Sequence, residues 1–198
     1  MLKTWSQYQL LAASTQNSTG VLHDEMVNWG MGLVGETGEL VDWLKKVRFH
    51  GHSFDLGKLE DEVGDILWYV SASLSSSGLT FRNLIGHNSI ARYDSNLGPD
   101  QGDVVCSLTT LALHISKCAT SAAVRIDRSL ILDRDQLLVD LREVVGRSVR
   151  VLLTAGTTMV IVLEKNIAKL KARFPKGFEA EKSKVRDRDE EQRKQDEV

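Results

Sequence analysis

Two pairs of carboxylates stand out for chemistry. Glu36 and Glu39 are three residues apart, and so are Glu62 and Asp65. Both pairs fall in stretches with helical periodicity, where an i,i+3 spacing puts side chains on one face. A short connection, His50-Gly51-His52-Ser53, separates the stretches, so the two helices are expected to lie antiparallel. That arrangement gathers four carboxylates into one small space, where unpaired anions repel. Divalent cations remove the penalty, and hard oxygen donors favour Mg²⁺ or Mn²⁺ over Zn²⁺. Such a cluster suits phosphoryl chemistry, because the ions neutralise phosphate oxygens and activate water. One acidic pair alone would mean little, since most solvated helix faces carry such spacings. Two pairs on consecutive helices, embedded in apolar sequence with glycines, carry more weight.

The surroundings extend this reading. Gly30, Gly32, Gly35 and Gly38 are poor helix formers inside a helix, and they imply close approach by a nucleotide or a neighbouring helix. Lys45 and Lys46 follow two turns on and are placed to meet phosphate. His50 and His52 suit a phosphate contact or a loop tie better than a metal role. His23-Asp24 reads as helix capping by Asp24. Trp29, Trp43 and Trp68 read as core or interface, with stacking of Trp29 on a base as the alternative. Glu60, Asp61 and Glu143 read as solvated carboxylates, and His114 as an ordinary helix residue.

The elements that must position these groups read as helices. The chain has 198 residues, 42% of them hydrophobic and 26% charged, with a net charge of -2. That balance gives no global electrostatic argument for nucleic-acid binding. Proline is confined to Pro99 and Pro175, as a mostly helical chain requires. Helical patterns run over about Trp5–Thr15, Asp24–Val47, Leu56–Ser76, Val104–Ile126, Asp135–Leu153 and Thr158–Phe174. The β-branched run Val149–Val162 is where a strand competes. His87–Gln101 reads as loop, and residues 179–198 read as a charged, disordered tail. Cys106 and Cys118 are separated by a dozen residues of expected helix, a rise of about 18 Å, too far for a disulfide. No signal peptide and no apolar run of membrane-spanning length is evident, so the expectation is a cytoplasmic protein with no membrane partner.

Gly32-Leu33-Val34-Gly35-Glu36-Thr37-Gly38-Glu39-Leu40-Val41-Asp42 closely resembles the first signature of the MazG-like nucleotide pyrophosphohydrolases. Lys58-Leu59-Glu60-Asp61-Glu62-Val63-Gly64-Asp65-Ile66-Leu67-Trp68-Tyr69 is similar to the second. Asn166-Ile167-Ala168-Lys169-Leu170-Lys171-Ala172-Arg173-Phe174-Pro175-Lys176-Gly177-Phe178 resembles the C-terminal motif, and Lys45-Lys46, Phe49-His50-Gly51-His52, Tyr8-Gln9 and Thr15 fit the blocks between. The resemblance implies an all-α antiparallel helix bundle that hydrolyses a (deoxy)nucleoside triphosphate to monophosphate and pyrophosphate. It implies two or three Mg²⁺ or Mn²⁺ ions held by Glu36, Glu39, Glu62 and Asp65. It also implies a triphosphate served by Asn166, Lys169 and Arg173, with Asn28 near the sugar or base, and a homo-oligomer, dimer or tetramer. Similar proteins occur in phages, which points to a purine nucleotide such as dGTP, GTP or dATP, and to the host cytoplasm if the chain is of phage origin.

One departure from that pattern is a long stretch, residues 86–157, before the C-terminal motif. It is either an insertion or a degenerate second repeat within a single domain over residues 1–178. Gly78-Leu79-Thr80 precedes Asn88-Ser89-Ile90-Ala91-Arg92 at the interval by which Gly156-Thr157-Thr158 precedes Asn166-Ile167-Ala168-Lys169. In a duplicated chain, a pseudo-dimer, His114 and Lys117 would replace Glu36 and Glu39. A rival functional class is a non-catalytic nucleotide-binding or oligomerising helical module, with the acidic set serving as ion-stabilised structure.

Overall fold

A computed structural model describes residues 1–95, 104–128, 133–179 and 188–197. Among them the chain is helical, with no strand and only the isolated bridges Thr4↔Ser89 and Pro175↔Gly177. The elements are α1 (Trp5–Ala13), α2 (Leu22–Phe49), α3 (Leu56–Ser76), α4 (Phe81–Ile85), α5 (Ile90–Ser95), α6 (Val104–Arg128), α7 (Arg134–Thr154), α8 (Met159–Arg173) and α9 (Arg188–Asp196). The all-α expectation holds.

Local chemistry sets the boundaries. Thr4 opens α1 with a capping box, its side chain accepting from the Gln7 backbone while the Gln7 side chain accepts in return. Asp55 caps α3, Asp133 caps α7 and Thr158 caps α8. Asp24 does not cap α2: Val21 holds that position without a side-chain bond, and Asp24 lies in the first turn. Pro175 and Gly177, the latter at φ 93°, follow the end of α8.

α2 and α3 pair in opposite senses: Glu25 meets Ser76, Trp29 meets Trp68, and Gly32 backs onto Tyr69. α2 also packs along α6, which packs on α7, while α8 lies across α3. The core runs through all of these, with Trp5, Trp29, Leu33, Leu67, Leu141 and Leu163 essentially solvent-free. The β-branched run joins it as helix, with Val149, Val151 and Leu152 buried on α7. Burial on a helical stripe overrides weak strand propensity there. Neither cysteine forms a disulfide. No single helix among the described residues is long and apolar enough to cross a membrane.

Three features depart from the sequence pattern. Within His87–Gln101 the structure has α5, Ile90–Ser95, with Ile90 fully buried; Asn96, Gly98, Pro99 and Gly102 lie outside the described residues. α4, Phe81–Ile85, adds a short helix just before α5. The charged tail contains α9, tied down by Arg173–Glu191 and Gln195–Asp61. Partners elsewhere in the fold supply what its composition lacks.

Candidate active site

α2 and α3 bring the predicted carboxylates together. Oxygens of Glu36, Glu39 and Glu62 all lie within 4.8 Å of one another. Glu62 is buried, Glu36 half-buried and Glu39 exposed. At such separations each anion pair repels by roughly 3 kcal/mol at an effective dielectric near 20. Lys58 offsets part of this, its ammonium 2.8 Å from Glu62. The balance stays unfavourable at Glu36: burial, then the Asp65, Glu39 and Glu62 carboxylates, push its pKa up to about 8. Burial also raises the Glu62 carboxyl, against the pull of Lys58. An acidic, oxygen-only donor set that resists full ionisation fits a hard divalent cation.

Asp65, the fourth expected ligand, faces the same cluster but is engaged from the other side. Lys169 on α8 donates to both Asp65 oxygens at 2.7 Å and to Asp61, and Asn166 Nδ2 donates to Asp65 Oδ1 at 3.0 Å. Tyr8 extends the chain, its hydroxyl donating to Asn166 Oδ1 at 3.2 Å. Burial opposes the Lys169 charge, but Asp65 and Asp61 outweigh it and hold the ammonium above its ordinary range. Lys169 is only 1% exposed, with its ammonium held between Asp65 and Asp61. In this arrangement the two residues expected to serve the triphosphate lie against Asp65. Their spacing matched the motif, but which carboxylate would capture them depends on how α8 crosses α3.

The other expected residues divide. Arg173 is bound bidentately by Glu191, at 2.7 and 2.8 Å, so a phosphate must displace that carboxylate. Trp29 is buried, donating to Ser76 Oγ at 2.9 Å and standing edge-on to Trp68, which removes it from base stacking. Asn28 is exposed on α2. Lys45 and Lys46 both pair with Asp42. Lys46 also lines a cleft of about 610 Å³ with Gly35, Gly38, Glu39, His52 and Lys58. A Cβ at Gly35 or Gly38 would meet nothing within 4 Å, whereas one at Gly32 would strike the Tyr69 ring. The helix glycines therefore serve both purposes: Gly32 admits a neighbouring helix, and Gly35 and Gly38 leave open the floor beside Glu39.

Sequence reasoning missed three buried contacts. Glu60 is 5% exposed, bound by Lys165 at 2.8 Å and by the Thr157 hydroxyl, and Asp61 is held by Lys169 and Gln195, so neither is a solvated spectator. Glu25 accepts from Ser18, Thr19, Gly20 and Ser76, which lowers its pKa to about 2, the Ser18 bond contributing most. Acidic residues on an apolar helix stripe were the available signal.

Fold and site define an all-helical protein whose acidic centre is shared by an antiparallel helix pair and braced by a third helix. Residues 27–86, which hold most of α2, all of α3 and α4 and all four carboxylates, match the MazG nucleotide pyrophosphohydrolase domain. Over that segment the chain is similar to a family of nucleotide pyrophosphohydrolases, hydrolases of acid anhydrides. Comparison with curated proteins and with solved structures gives no match.

Proposed function

We propose that this protein hydrolyses a nucleoside triphosphate, a purine such as dGTP, GTP or dATP, to the monophosphate and pyrophosphate. The observation that carries the reading is the mutual approach of Glu36, Glu39 and Glu62 within 4.8 Å, on a segment that matches a nucleotide pyrophosphohydrolase domain. Glu36, Glu39, Glu62 and Asp65 would hold Mg²⁺ or Mn²⁺. Ions bound there supply Lewis acidity toward the phosphate oxygens and the attacking water. The cleft beside Glu39 would admit the nucleotide, and Lys46 and Lys58, paired with Asp42 and Glu62, are among the residues that line it. Glu39, the exposed member of the cluster, is placed to take the proton of the attacking water. Lys169 and Asn166 fix the Asp65 carboxylate from behind. Arg173, once released from Glu191, adds positive charge toward the leaving pyrophosphate.

The test is product chromatography after incubation with each canonical dNTP and NTP, with Mg²⁺ and with EDTA. Metal-dependent formation of monophosphate and pyrophosphate is expected. Diphosphate with orthophosphate, or no turnover of any nucleotide, would overturn the reading.

A further inference from the structure

A constant shift in residue number relates the two halves of the bundle. It carries Asp55, which caps α3 by accepting from the Lys58 N–H, onto Asp133, which caps α7 by accepting from the Gln136 N–H. It carries Leu56–Ser76 onto Arg134–Thr154 at both ends. The helix exits match too: Gly78 and Leu79 donate to Ser75 and Leu74, while Gly156 and Thr157 donate to Leu153 and Leu152. Both glycines sit at positive φ, 71° and 82°. Thr80 and Thr158 then cap the following helices at nearly the same backbone angles, φ -130° in both, with ψ 160° and 156°. Buried Leu59, Val63 and Leu67 fall on buried Leu137, Leu141 and Val145. Packing is reciprocal: α8, which follows α7, lies on α3, and α4, which follows α3, lies on α7. α2 meets its counterpart α6 between them. Caps and turns are common singly, but one register shared by all of them across both halves is the mark of a repeated unit.

The same shift places Glu62 and Asp65 on Asp140 and Glu143, which remain acidic, and Glu36 and Glu39 on His114 and Lys117. Local contacts correspond: Lys58 donates to Glu62, and Gln136 Nε2 donates to Asp140 Oδ1 at 3.4 Å. Tyr69, which faces the first acidic cluster, falls on Arg147, which pairs with Glu143 at 3.1 Å and lies 3.3 Å from His114 Nδ1.

We propose that residues from α6 onward are a second copy of the α2–α3 unit whose metal site has been closed by substitution. Lys117 and Arg147 place fixed positive charge, and His114 a ring nitrogen, where the first copy calls for divalent ions. One chain then has one metal centre, and the second copy serves it by delivering α8, with Asn166 and Lys169, to Asp65. The proposal rests on the reading of Glu36, Glu39, Glu62 and Asp65 as metal ligands.

The experiment restores the first copy's residue at each closed position, as H114E/K117E/R147Y in the full chain, and titrates Mn²⁺ calorimetrically against it and the wild type. His114 and Lys117 are exposed and Arg147 is half-buried, so a thermal melt of the variant is read beside the titration to establish that it is folded. The expected result is a doubled Mn²⁺ stoichiometry. Uptake by the wild type with no additional uptake by the variant overturns the duplication. No uptake by the wild type overturns instead the metal reading of the first copy. The reverse exchange, E36H/E39K, guards against a folding failure. Equivalent positions predict that it loses Mn²⁺ uptake yet melts in EDTA at or above the wild-type temperature. A melt far below wild type would show that the positions are not equivalent.

Discussion

Charge at the acidic centre is arranged unevenly, and each carboxylate has a different expected sensitivity. Glu39 is open to the cleft and makes no contact that holds the fold, so Glu39→Gln should abolish turnover while circular dichroism and melting stay near wild type. Asp65→Asn should also abolish turnover, but at some cost in stability, because Lys169 is buried against it. Single-turnover assays and thermal melts on the same samples separate the two effects. Glu25 offers a pH test away from the site. Its folded pKa, about 2 against an ordinary 4.5, means that its carboxylate stabilises the fold above about pH 4.5. That contribution is lost as pH falls from there toward 2. Glu25→Gln should cost about 1–3 kcal/mol at pH 7 by denaturant unfolding. The gap to wild type should close by pH 2, and a gap independent of pH would refute the assignment.

Helix-to-helix seating decides whether the centre is assembled. α8 reaches α3 at Gly64, where an added Cβ would come within 3.2 Å of the Asn166 side chain. Gly64→Ala should push α8 away by a few tenths of an ångström and cost about 1–3 kcal/mol. Because Asn166 and Lys169 travel with α8, Mn²⁺ affinity should fall as well, and a variant that loses stability with unchanged affinity would dissociate α8 from the site. The spacing within each helix was legible in the sequence: the i,i+3 carboxylates and the extent of the last long helix, about Thr158–Phe174, both read close to the structure. Contacts between helices were not. Lys169 and Asn166 were read for the triphosphate, and their spacing gave no sign of the contacts with Asp65, which are set by the crossing of α8 over α3. α9 was invisible for a related reason: its residues are good helix formers, but a short polar segment has no apolar stripe to bury, and it is held by Arg173 and Asp61.

At the scale of the whole molecule, metal binding and folding should be linked. The carboxylates of α2 and α3 repel one another in the folded protein more than in an unfolded chain, so divalent ions stabilise the native state selectively. At a Mg²⁺ or Mn²⁺ concentration about 100-fold above Kd the gain is about 2.7 kcal/mol. For a domain of this size that is a rise in Tm of roughly 5–10 °C. EDTA should reverse it, and Glu36→Gln should blunt it. Equal melting curves with and without the ions would count against a shared metal centre. The long α2 has α3 on one side and α6 on the other, so the active pair is braced along its length by its counterpart.

By itself the sequence determined the helical class, the two acidic pairs, their placement on adjacent antiparallel helices and the family signatures around them. All of these are periodic or short-range features, fixed by residues within a turn or two of one another. Tertiary structure alone decided that Trp29 is core, that Glu60 and Asp61 are bound and that Lys169 faces Asp65. Those outcomes depend on which faces meet across the bundle. In a close-packed interior a side chain's partner is set by the approach of distant segments, and no local spacing encodes it.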